Sequence, residues 1–350
     1  MDKWVVSAKK ADFQEIGRKF GVDPVIARLI RNRDHITDQE IDRYLYGKLS
    51  SLHSWKLLKD IEKLLDILTE KILEQKKIRI IGDYDIDGVC STYILLKGLS
   101  RAGAVADADI PDRIKDGYGI SRELIDLAAK AGIDTIITCD NGISAAEQIG
   151  YAKELGMTVL VTDHHEVPYE EEEDGTIHSI LPPADAVVNP KQPDCPYPFK
   201  GICGAMVAYK VIQGLYDRLG IPEKETEELI PFAAIATVGD VMDLKDENRI
   251  LVKDGLRRLQ NPENEGLKAL IRVNNLENRD ISAYHIGFVI GPCMNASGRL
   301  STAKRALRLL LAEDPSEAAD LAQDLKDLND SRKDMTCLLY TSDAADDLIG

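Results

Sequence analysis

The stretch that most limits how this chain can fold is Ile78-Arg79-Ile80-Ile81-Gly82-Asp83-Tyr84-Asp85-Ile86-Asp87-Gly88. The β-branched run over 76–81 predicts a buried parallel strand with a sharp stop at Gly82. Three alternate carboxylates follow at once. Like charges this close repel, and their pKa values rise unless a cation is present. A divalent metal is the simplest remedy. A turn is the other reading: the three acids would cap a helix over 89–101, with Gly88 supplying a positive φ. This stretch alone does not choose between them.

The segments downstream bear on that choice. The pattern predicts strands over 104–110, 134–139, 158–162 and near 186–189, separated by helices over 121–131 and 144–155. Such alternation implies a parallel sheet with helices on both faces, whose ligands bind beyond the carboxyl ends of the strands. The run Thr135-Ile136-Ile137-Thr138-Cys139 ends at Asp140-Asn141-Gly142, and Val159-Leu160-Val161-Thr162 ends at Asp163-His164-His165. Three strands therefore deliver acids or imidazoles to one edge, a donor set suited to hard or borderline divalent ions. A helical run over 226–238 leads to a fourth acid at Asp240, which periodicity cannot place.

The remaining segments frame this core. Two short helices split near Gly21 and Pro24 are expected before Arg31. Thr37 with Glu40 reads as a capping box, and 58–75 as an amphipathic helix. The acidic stretch over 166–185 reads as a solvated loop, with no role for His178; His35 and His53 receive none either. Beyond Pro198 the pattern is helical over 204–219, 226–238, 248–259, 266–273 and a long stretch over 303–334 broken near Pro315.

A net charge of -16 argues against a general electrostatic nucleic-acid binder, although acids gathered on metals count in that total. The six cysteines have no CxxC or finger spacing, which excludes a zinc finger and fits a reduced compartment. With no apolar leader at Met1 and no run of membrane-spanning length, a cytoplasmic protein is expected.

In order and spacing, Asp83-Tyr84-Asp85-Ile86-Asp87-Gly88, Asp140-Asn141-Gly142, Asp163-His164-His165 and Thr237-Val238-Gly239-Asp240 resemble the first four motifs of the DHH phosphoesterase superfamily. Within it the chain is most similar to the RecJ family of single-stranded-DNA-specific exonucleases. Further similar segments are Ile110-Pro111-Asp112-Arg113, Gly117-Tyr118-Gly119, Gly201-Ile202-Cys203-Gly204-Ala205, Ile286-Gly287-Phe288, Gly291-Pro292 and Asn295-Ala296-Ser297-Gly298-Arg299. Phosphatase relatives carry histidine where this chain has Ile81, a difference that suits the nuclease branch.

The resemblance implies metal ligands at Asp85, Asp87, Asp140, His164 and Asp240, with Asp140 bridging two ions, Mn2+ or Mg2+. It implies catalytic roles for His165, facing the scissile phosphate, for Asp163, orienting its neighbours, and for Asp83, which would ligate or support a ligand. Arg113 and Arg299 are candidates for phosphate contacts and Tyr118 for stacking on a base. The implied activity is 5′ to 3′ hydrolysis of single-stranded DNA in repair and recombination, by a monomer, with a single-strand-binding protein or a helicase as partners. Two competing readings are a phosphodiesterase of short oligonucleotides or cyclic dinucleotides and a non-catalytic replication scaffold.

Four segments are expected: an N-terminal helical extension over 1–56, the DHH α/β core over 57–200, a helical part with a connecting helix over 201–335, and a non-native tail over 336–350. The second lobe and oligonucleotide-binding fold that follow this region in RecJ proteins have no counterpart here, so the chain reads as an amino-terminal fragment with weak or absent processive activity.

Overall fold

The computed structural model describes residues 9–111, 119–172, 177–300 and 303–346, and the side chains of all of these except 299, 300 and 339–346. Three short helices come first: α1 (Phe13–Phe20), α2 (Pro24–Asn32) and α3 (Asp38–Tyr46). Gly21, at φ 63°, ends α1, and Asp23 caps α2 with Pro24 in its first turn. The Thr37–Glu40 capping box is formed at α3. Next comes α4 (Ile61–Leu73), which buries Ile61, Leu64, Leu65, Leu68 and Ile72 along one stripe.

The α/β alternation follows: β1 (Lys77–Ile81), α5 (Ile86–Arg101), β2 (Val105–Asp109), α6 (Arg122–Lys130), β3 (Thr135–Cys139), α7 (Ala146–Glu154) and β4 (Thr158–Thr162). After β5 (Tyr169–Glu171) and β6 (Ile177–Ser179), β7 (Ala186–Val188) completes a five-stranded parallel sheet in the order β2-β1-β3-β4-β7. Strand residues alternate between two cores. Ile78, Ile80, Ile137 and Leu160 belong to the larger one with α4 and α5, whereas Ile136, Val159 and Val161 belong to the smaller one with α6 and α7. Helices thus cover both faces, as the sequence pattern requires. Strand order reverses between β1 and β3, which puts the crevice for a ligand at their carboxyl ends.

Behind the sheet lie α8 (Gly204–Leu219), α9 (Ile230–Gly239), α10 (Asp246–Leu259) and α11 (Glu265–Val273). The buried flank of α5 packs on α8 and α9, so truncating Leu95, wholly buried there, should cost about 2–5 kcal/mol. The chain continues through α12 (Ala283–His285), a π-helical turn (Ile286–Ile290) and α13 (Gly291–Leu300), then α14 (Lys304–Leu311) and α15 (Pro315–Asp346). No helix among the described residues is long and apolar enough to cross a membrane.

Several local expectations are corrected. The helix after β1 starts at Ile86, so Asp87 and Gly88 are helical and Gly88 has no positive φ. Glycine is needed there for proximity, because a Cβ would lie 2.3 Å from the Asp83 carbonyl oxygen. The run over 226–238 is a 3-10 stretch (Glu223–Leu229) followed by α9, since Pro231 has no N–H to continue a preceding helix. The acidic stretch over 166–185 contains the antiparallel pair β5-β6, whose residues are all exposed. Backbone pairing holds it without apolar alternation, which is why composition reads it as loop. Residues 283–300, with no assignment from periodicity, are helical. The helix expected to end near Asp334 runs on to Asp346, because 335–346 lacks any Gly or Pro to break it.

Candidate metal centre

Three strand ends carry the acids to one place. β1 ends at Ile81, opposite Thr138 of β3, and Cys139 lies opposite Thr162 of β4. Asp140 and Asp163 therefore leave the sheet side by side. Asp140 has φ 60°, a left-handed backbone that non-glycine residues seldom adopt, and Val241, just after Asp240, has φ 57° although it is β-branched. Such strain concentrates at functional sites.

The first motif turns directly into α5. Asp85 is its N-cap and accepts from the Asp87 and Gly88 amides at 2.9 and 3.0 Å. Capping and site-building are thus the same act for this residue. Asp87, the second residue of α5, is fully buried. Its two carboxylate oxygens accept from the Gly204 and Ala205 amides of α8 at 2.6 and 2.7 Å. Cys203, at the N-cap of α8, gives no side-chain cap, so the buried Asp87 side chain supplies it from 117 residues away. Gly204 also touches the next motif, since a Cβ on it would lie 2.8 Å from Asp140 Cβ.

His164 is the focus of the arrangement. Its Nε2 lies 3.1 Å from Asp140 Oδ1, 3.5 Å from Asp87 Oδ2 and 3.7 Å from Asp240 Oδ2. Yet neither ring nitrogen makes a hydrogen bond, although both are buried. Burial lowers the pKa of His164 against the pull of Asp87, which favours the neutral ring with a lone pair to offer. His165, half exposed, is held differently. Asp163 Oδ1 accepts from His165 Nδ1 at 2.8 Å and from the His164 and His165 amides, while Oδ2 accepts from the Ile143 amide.

Asp163 stays below the ordinary carboxylate range: burial raises it, but the hydrogen bond and charge of His165, with the Ile143 and His165 amides, outweigh burial. The bond to Asp163 in turn raises the pKa of His165. An ionised carboxylate only accepts, so the His165 proton sits on Nδ1.

The other acids are pushed up. Burial and then Asp85 raise Asp83 to about 7, while burial, Asp87 and Asp85 raise Asp240 to about 7. Burial and neighbouring carboxylates also raise Asp85, and raise Asp140 well above its ordinary value. Among the described residues the donors form three overlapping groups whose candidate ligand atoms lie within 4.8 Å of one another: Asp83, Asp85 and Asp140; Asp87, His164 and Asp240; and Asp140, His164 and His165. Asp140 and His164 each belong to two groups. An imidazole nitrogen aimed without a bond between three carboxylates fits a divalent cation: oxygen and imidazole donors suit manganese or magnesium, and the charge would relieve the repulsion.

The chain as a whole is similar to known proteins. Residues 77–237 match the family described as DHH family, N-terminal domain. A crystal structure of exonuclease RecJ bound to manganese superposes with a TM-score of 0.72 at 34% identity, over 81% of this chain and 69% of that one. The chain belongs to the DHH family. It is also similar to RecJ from Thermus thermophilus in complex with Mn2+, with a TM-score of 0.78 and 31% identity over 94% of this chain and 45% of that chain. The single-stranded-DNA-specific exonuclease RecJ of Bacillus subtilis (strain 168) is 35% identical over 95% of this chain and 40% of its own length. That of Haemophilus influenzae is 36% identical over 91% and 55%. The chain spans 40% and 55% of the length of these two relatives.

Of the expected site residues, Asp83, Asp85, Asp87, Asp140, Asp163, His164, His165 and Asp240 come together at the sheet edge. Arg113 and Tyr118 lie outside the described residues, as does the side chain of Arg299. The backbone beside Arg299 reaches the first motif, because a Cβ on Gly298 would lie 2.4 Å from the Tyr84 carbonyl oxygen. The α8 amides of Gly204 and Ala205 are the functional groups that sequence reasoning missed. A signal existed: a helix expected to open at Gly204 has no Ser, Thr, Asp or Asn before it, so its cap must come from elsewhere.

Proposed function

We propose that this chain is a RecJ-like, metal-dependent nuclease that hydrolyses phosphodiester bonds of single-stranded DNA from the 5′ end, in repair and recombination. The observation that carries this reading is the bare His164 imidazole set among Asp87, Asp140 and Asp240. Asp85, Asp87, Asp140, His164 and Asp240 would hold two ions, Mn2+ or Mg2+, with Asp83 close enough to Asp85 and Asp140 to complete one of the groups. Bound there, such ions would activate water and neutralise charge on the phosphate.

The side chains do the rest. Asp87 is fixed by two α8 amides, so its oxygens need no reorganisation when a cation arrives. His164 offers its lone pair without first losing a proton. Asp163 keeps the His165 ring in one tautomer, turning Nε2 away from itself and toward a phosphate oxygen at the half-exposed rim. The test is an Mn2+-dependent assay on single strands labelled at either end, run beside Asp140→Ala. Mononucleotide release from 5′-labelled strands, lost in the folded variant, is the expected result; label loss that ignores Mn2+ or persists in Asp140→Ala would refute it.

A further inference from the structure

The strands β1, β3 and β4 supply acids and histidines to the centre, and β7, paired in parallel with β4, ends at the same edge. Val188 lies opposite Thr162, so Asn189-Pro190-Lys191 leaves the sheet alongside Asp163-His164-His165. Asn189 is wholly buried, its Nδ2 donates to the His165 carbonyl at 2.9 Å, and its Oδ1 accepts from the Lys191 amide at 2.8 Å. One buried side chain thus ties the Lys191 backbone to that of His165. The Lys191 ammonium meets the Glu166 carboxylate at 2.8 Å, with the glutamate side chain 85% exposed and the lysine side chain only 22% exposed. We propose that Lys191 is a substrate-gripping cation of this centre, passing its ammonium from Glu166 to a phosphate oxygen of the strand, an inference that rests on the phosphodiesterase reading above.

Charge balance and geometry carry it. Two divalent ions would bring four positive charges to the five carboxylates grouped here, which leaves no surplus to hold a phosphate anion. A lysine beside the ligands supplies that surplus as a point charge with three donors. Its field reaches the ligands: burial, Asp87 and Asp85 raise the pKa of Asp240 and Lys191 opposes them, while burial lowers that of His164 and Lys191 adds to it. An ion pair so open to water on the Glu166 side holds its partners weakly, so one anion readily replaces another. Asn189 keeps the backbone in place during that exchange, and only the lysine stem moves. The same charge acts in opposite senses on the two things the centre binds. Beside the ligands it disfavours a metal cation and favours a phosphate, which a merely structural ion pair does not do.

The probes are Mn2+ alone, titrated by calorimetry, and an oligothymidylate with phosphorothioate linkages, which resist hydrolysis, bound to the full chain with and without Mn2+ over a range of salt. Lys191→Met should weaken oligonucleotide binding about tenfold and reduce its logarithmic salt slope by about 0.7, the share of one phosphate contact on a single strand. In the same variant Mn2+ should bind about two- to fivefold more tightly. Glu166→Gln, which frees the ammonium, should shift both affinities the other way, and Lys191→Arg should keep the salt slope. An unchanged slope in folded Lys191→Met, or Mn2+ affinity that falls together with DNA affinity, would overturn the assignment. Failure of the metal reading shows separately, as Mn2+ that does not titrate the unaltered chain, while the salt slopes measured without metal still decide the role of Lys191.

Discussion

Two clusters of buried charge in this fold are built on opposite principles. At the sheet edge, Asp83, Asp85, Asp87, Asp140 and Asp240 surround neutral-leaning His164, and four of the five carboxylates are pushed up in pKa. Behind α8, Lys210 and Glu247 are both fully buried but face one another at 3.3 Å. Lys210 also donates to the His53 carbonyl at 2.5 Å, and Glu247 accepts from the Tyr197 hydroxyl at 2.5 Å and the His53 amide at 3.2 Å. Burial still lowers the Lys210 pKa, against the opposing pull of Glu247. The second cluster closes on itself and ties 52–55 to α8 and α10. The first has an excess of one sign and is completed only from outside. Buried charge marks a site when it is unbalanced and a strut when it is paired.

The largest effect that would sharpen this contrast is at Asp140. Replacing it by Ala should lower Mn2+-dependent cleavage by about 10³-fold or more, because several kcal/mol of charge stabilisation is lost. Thermal melting of the metal-free variant should meanwhile be unchanged or higher, since one repelling acid has gone. A large drop in melting temperature would break the comparison by making Asp140 a strut.

Lys210→Met should do the reverse. Leaving Glu247 buried without its cation costs about 3–5 kcal/mol of stability in denaturant titration, with Mn2+ affinity unaltered. Pairing it with Glu247→Leu should restore part of that loss.

The pH response comes next. Asp83 and Asp240 have folded pKa values of about 7, above the ordinary 3.8. Between those values the metal-free folded state binds more protons than the unfolded one, so its stability falls as pH rises from about 4 through 7. Mn2+ competes with those protons and should stabilise more at pH 8 than at pH 5. At an ion concentration about 100 times Kd the gain is about 2.7 kcal/mol, readable as a melting shift. A shift of equal size at both pH values would show that the raised acids do not hold the ion.

The smallest effect is expected at Asp163, which touches the centre through its neighbours. Asp163→Asn keeps an acceptor but loses the charge that aligns His165, and should lower activity by about 10–100-fold. Its pH profile should move to lower pH as the His165 pKa falls. An unchanged profile would remove His165 from the reacting rim.

The sheet is legible in the sequence because short β-branched runs end abruptly at acids, as in Ile81-Gly82-Asp83 and Cys139-Asp140. The hairpin of β5 and β6 is not, since its exposed residues carry no apolar signal. The end of the long C-terminal helix is misplaced at Asp334 because a change in composition imitates a break, whereas only backbone chemistry breaks a helix. The Asp87 contact with α8 escapes because a cap drawn from 117 residues away leaves no local pattern.

By itself the sequence determined which residues are acids, which runs are strands and to which end of each strand the acids belong. Apolar periodicity reports how a side chain faces relative to its own element. Only the tertiary structure decided that His164 stands among three carboxylates while Lys210 meets Glu247. Charge interaction depends on distance through space, and that distance is set by how separate elements pack.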